Sequence, residues 1–151
     1  MTSQSSSRGI ARVLEWILGV IGAMNCVAVP ILVVPDQREL FPLPDLYFIE
    51  IASLGMLSIA AVVIQTDDYT RWTVAPWISA GVLATFVILG GFSIGFFLIP
   101  AAIAFLLTGI VMDWRFGGDI GRHAGLAAVS AVVQAALMLS AILLGQPPSI
   151  P

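Results

Sequence analysis

A chain of 151 residues that is 59% hydrophobic and 10% charged, with a mean hydropathy of +1.02, departs far from soluble proteins, in which about a quarter of residues are charged. The six basic residues are all Arg and the net charge is -3, which leaves no basic surface to hold nucleic acid. A single cysteine, Cys26, excludes an internal disulfide and any multi-cysteine metal site. The composition is that of an integral membrane protein.

The chain opens on MTSQSSSRGIAR, residues 1–12, too polar and too short to bury anything, and a disordered N-terminus is expected there. The apolar run that follows reaches Val34. It exceeds the apolar core of a secretory signal, about 7 to 15 residues, and no small-residue cleavage site follows it. Residues 13–34 are therefore predicted as a retained first membrane helix, stopped by Pro35-Asp36. Gly19 and Gly22, with Ala23 and Cys26, give this helix a small-residue seam suited to close helix packing.

The loop 35–45 carries Asp36, Arg38, Glu39 and Asp45 without the spacing of a calcium-binding loop, and is read as a solvated outer segment. A second span is predicted over 46–65, between Pro42-Leu43-Pro44-Asp45 and Thr66-Asp67-Asp68. The next uncharged run extends from Trp72 to Met112, and as one helix it would be about 60 Å long, twice the hydrocarbon thickness of a bilayer. It must fold back, and Gly90-Gly91-Phe92-Ser93-Ile94-Gly95 is the place, because its glycines accept turn dihedrals and it divides the run nearly in half. Spans three and four are thus predicted over 73–90 and 95–112. A glycine-rich loop with Arg115, Arg122 and His123 precedes a fifth span over 124–144, where Ala127, Ala131 and Ala135 recur every fourth residue, and 146–151 form a short tail.

The fold class expected is all-α, one integral membrane bundle of five transmembrane helices within residues 13–145. With the N-terminus cytoplasmic and the C-terminus outside, Arg8, Arg12, Arg71, Arg115 and Arg122 fall inside and only Arg38 outside, as the enrichment of Arg in cytoplasmic loops requires. Trp16, Trp72 and Trp114 then fall at the inner interface, where amphipathic rings prefer to sit. The Arg-only basic set points to a high-GC prokaryotic genome, and the location expected is the plasma membrane.

Four polar residues within the spans are candidates for an ion or proton site: Glu50, Asn25, Gln134 and Ser53. Glu50 lies about 6 Å inside helix two and shares a face with Tyr47 and Ser53. A carboxylate at such a depth must face protein or water, and buried amides need partners, so the four either line a pathway or clamp helices together. Arg115, Arg122 and His123, beside a helix N-terminus, are candidates for holding a lipid phosphate. Glu15 is expected to make an exposed ion pair with Arg12. No Ser-His-Asp set, HExxH, CxxC or phosphate loop occurs, so no catalytic residues, metal or cofactor are expected. The expected function is that of an accessory or structural subunit packed against lipids and against other transmembrane subunits or copies of itself. The alternative is a small oligomeric transporter or channel using Glu50.

Overall fold

A chain whose apolar runs must satisfy every backbone group without water has helices as its simplest solution. The computed structural model describes residues 3–33, 43–64, 71–91 and 95–144. It contains helices α1 (Ser3–Val33), α2 (Leu43–Ile64), α3 (Ala75–Leu89), α4 (Gly95–Phe116) and α5 (Ile120–Leu144), with one 3-10 turn, Arg71–Val74, leading into α3. There is no strand among the described residues. Five stretches are long and apolar enough to cross a membrane: Gly9–Leu32, Tyr47–Ile64, Trp72–Leu89, Gly95–Phe116 and Ile120–Leu143. The fold is all-helical, as expected. The tail 146–151 and residues 35–42 of the acidic loop lie outside the described residues, as do Phe92, Ser93 and Ile94 of the glycine-rich turn.

The helix boundaries differ from the sequence reading in two informative places. Residues 3–12, expected to be disordered, belong to α1. No proline interrupts the chain before Pro30, and a helix once nucleated extends at little cost per residue. At the other end of the chain, α4 runs on to Phe116 and α5 starts at Ile120, so the loop read as a long glycine-rich segment is a tight turn. Gly117 adopts φ 69°, the left-handed conformation of a helix C-terminus, and the Gly118 N–H donates to the Asp113 carbonyl at 2.9 Å. Asp119 then caps α5: its Oδ1 accepts from the Arg122 N–H at 3.1 Å, and its carbonyl accepts from the His123 N–H at 3.0 Å.

The reversal between α3 and α4 stands where the length arithmetic put it. Gly90 donates its N–H to the Phe86 carbonyl, and Gly95 donates to the Gly90 carbonyl, both at 2.8 Å.

Four helices form a ring. α1 packs on α2 and α4, and α3 packs on α4 and more lightly on α2. The seam on α1 is internal: Gly19 lies against Val62 of α2, and Gly22 lies under the Phe105 ring of α4, where a Cβ would come within 2.5 Å of the ring. Phe105, Leu98, Leu83, Ile51 and Cys26 are fully enclosed at the centre. The fifth helix stands outside this ring and packs chiefly on α3. Gly81 of α3 admits it, because a Cβ there would collide with the Ala127 carbonyl. In the spanning stretch of α5 only His123, Gln134 and Met138 are buried, whereas most residues of that of α3 are.

Contacts fix the relative directions. Gly55 of α2 abuts Ala23 and Cys26 while Gly19 abuts Val62, so α1 and α2 are antiparallel. Thr85 reaches Ala131 and Ile78 is reached from Ser130, consistent with α3 and α5 running the same way. The bundle therefore has one end holding Glu15, Arg71, Arg115 and His123, and another holding Glu50 and Gln134.

Candidate functional site

At the Glu50 end, helical spacing places Tyr47 and Glu50 one turn apart on the same face of α2. α5, parked on α3, brings Gln134 across to them: its Nε2 donates to Glu50 Oε2 at 3.0 Å. Gln134 is 5% exposed and Glu50 is half-buried. The Tyr47 ring stands edge-on to Phe86 of α3, with ring centroids 5.6 Å apart and an interplanar angle of 75°. Its hydroxyl is buried and makes no hydrogen bond. One carboxyl, one amide and one phenol thus meet where α2, α3 and α5 approach.

The other two candidates do not join them. Ser53 donates to the Ile49 carbonyl of its own helix at 2.6 Å, a local bond common for serine in apolar helices. Asn25 lies level with Gly55, which is about 7.5 Å along the axis from Glu50. Its Oδ1 is buried without a partner.

α5 is held to α3 by two further side-chain bonds. Thr85 Oγ1 donates to the Ala131 carbonyl at 2.8 Å, and the Ser130 hydroxyl shares its hydrogen between the Ala127 carbonyl of its own helix at 2.9 Å and the Ile78 carbonyl of α3 at 3.3 Å. Ala127 and Ala131 face α3, and Ala135 is half-buried one turn further along. An apolar groove of about 300 Å³ opens between α3, α4 and α5, lined mainly by small side chains that include Ala84, Ala102, Ala127 and Ala131.

The opposite end holds a layer of charges that the sequence reading did not assemble. Glu15 is 1% exposed and its Oε2 lies 2.9 Å from Arg115 Nη2 of α4, in place of the exposed pair expected with Arg12. Asp113, also 1% exposed, has both carboxylate oxygens 2.8 Å from His123 Nδ1 of α5. Trp77 of α3 stacks obliquely near the His123 ring, at 6.4 Å between centroids. The Arg115 guanidinium also lies over the Phe116 ring at 4.2 Å. Of the three residues expected at lipid headgroups, Arg115 and His123 are turned inward to these acids, and Arg122 is exposed.

Among the described residues no group of three or more His, Cys, Asp or Glu side chains could hold a metal ion. Comparison with protein-family models, curated proteins and solved structures finds no match for the chain.

Proposed function

We propose that the chain is a multi-pass component of the plasma membrane, N-terminus cytoplasmic, that serves as an accessory or structural subunit of a larger membrane assembly. The observation that carries this reading is the position of α5. It is attached along one side, while Leu126, Val129, Val132, Leu137 and Leu143 stay exposed on its others. In a bilayer, helices associate through close packing of small residues, and Ala124, Gly125, Ala128 and Ala136 also stand exposed on α5. The two buried acids near the Glu15 end, Glu15 and Asp113, are paired within the chain, which suits a scaffold more than a pathway. The reading assigns no catalytic role.

The test is the composition of the complex that a tagged copy brings out of its native membrane in mild detergent, with Val132→Trp on the exposed side of α5 as the probe. A fixed ratio to other membrane proteins, lost in the Trp variant, supports the subunit. Extraction alone or as a homo-oligomer, unchanged by the variant, overturns it. The Glu50–Gln134 contact favours a second reading, a small oligomeric transporter or channel. Its test is ion flux through the purified chain in liposomes, with Glu50→Gln as the control.

A further inference from the structure

We propose that Glu50 is a proton-binding site, whose carboxyl takes up and releases a proton where α2, α3 and α5 meet. The inference goes beyond the subunit reading and does not rest on it. It comes from a difference among three carboxyl groups. The described spanning stretches contain Glu15, Glu50 and Asp113. Glu15 faces a guanidinium and Asp113 faces an imidazole, whereas Glu50 is met by an amide. Every Arg and His among the described residues belongs to the other end of the bundle, Arg38 lying outside the described residues: Arg8 and Arg12 early in α1, Arg71 before α3, Arg115 at the end of α4, and Arg122 and His123 at the start of α5.

An ionised carboxylate without a countercharge costs far more in hydrocarbon than the neutral acid does. The surroundings of Glu50 suit a group that changes between the two forms. On α2 itself stands Tyr47, and on α3 stand Thr85, committed to α5, and the Phe86 ring. On α5 stands Gln134. The core residues that α1 and α4 place at this end, Val29, Leu98 and Ala101, are apolar, and the Cys26 thiol lies deeper, against Gly55.

In the neutral acid, Gln134 donates to Oε2, the carbonyl oxygen, and Oε1 carries the proton. The Tyr47 oxygen, buried and otherwise without a hydrogen bond, is the acceptor available one turn away. On release, the O–H bond breaks, its electron pair stays on the carboxylate and the proton passes to water as hydronium. Gln134 continues to donate, and the Tyr47 hydroxyl can rotate to donate in turn. The same two neighbours therefore serve both states, and neither supplies the further acidic or imidazole ligands that a divalent metal would need.

The experiment uses the full chain in lipid nanodiscs, treated with dicyclohexylcarbodiimide. This membrane-soluble reagent reacts with a protonated carboxyl: the acid proton moves to a carbodiimide nitrogen, the carboxyl oxygen bonds to the central carbon, and rearrangement leaves a stable acylurea that mass spectrometry locates. We expect the label on Glu50 and not on Glu15 or Asp113, declining as pH rises and unchanged by sodium. Glu50→Gln should abolish it. A parallel infrared titration should show a carboxylic C=O band that disappears in Glu50→Gln. A label on Glu15 or Asp113 instead of Glu50, or protection of Glu50 by sodium at fixed pH, would overturn the proposal. So would the absence of both label and titrating band while the chain remains folded.

Discussion

The two ends of the bundle solve the same problem in different ways. Near α1's start, two acids are buried to 1% exposure, each against a basic partner on another helix. Near α1's end, Glu50 is left half-buried and held by a neutral amide. The first arrangement is locked, because removing one member strands a charge; the second is loose, because an amide tolerates either form of the acid. Charge-paired acids and an amide-held acid thus stand at opposite ends of one small molecule.

The largest test of that contrast is Arg115→Leu. It should cost about 3–5 kcal/mol of unfolding free energy, because Glu15 is left buried without its partner. Unfolding in mixed lipid–detergent micelles measures it, and Glu15→Gln added to Arg115→Leu should recover much of the loss. Next comes Gly81→Val, which forces a side chain against the Ala127 carbonyl between the two ends and should cost about 1–3 kcal/mol. Cysteine cross-linking between α3 and α5 would report the displacement. Thr85→Val removes one interhelical bond to Ala131 and should cost about 0.6 kcal/mol in the same unfolding assay. Smallest of all, Glu50→Gln keeps an oxygen for Gln134 to donate to and should change stability by less than about 0.6 kcal/mol. If Glu50→Gln cost as much as Arg115→Leu, the two ends would be equivalent and the contrast would fail.

What could be read from the residues was what depends on length and local chemistry. The run 72–112 could not be one helix, so the turn at Gly90 and Gly91 followed from arithmetic alone. The contact of Glu50 with Gln134 could be suspected, since both are polar in apolar helices, but Asn25 could not be excluded from it without the α1–α2 register. The Glu15–Arg115 pair joins residues a hundred positions apart, and nothing in either neighbourhood names the other. One local signal does bear on that pair. Phe116-Gly117-Gly118-Asp119 contains a helix stop followed directly by a helix cap, and taken so it extends α4 through Asp113 and Arg115 and starts α5 before His123. With those boundaries, both basic residues fall on helices where they can turn inward.

The place of α5 outside the ring bears on how the protein is made. All four ring helices lie within residues 3–116, and the ribosome delivers them before it delivers α5. The ring can close while the last helix is still emerging, and α5 then docks through a few polar bonds at sites already built: Asp113, Thr85 and Glu50. A chain halted before Ile120 would still carry all four ring helices and the surface that its missing helix meets.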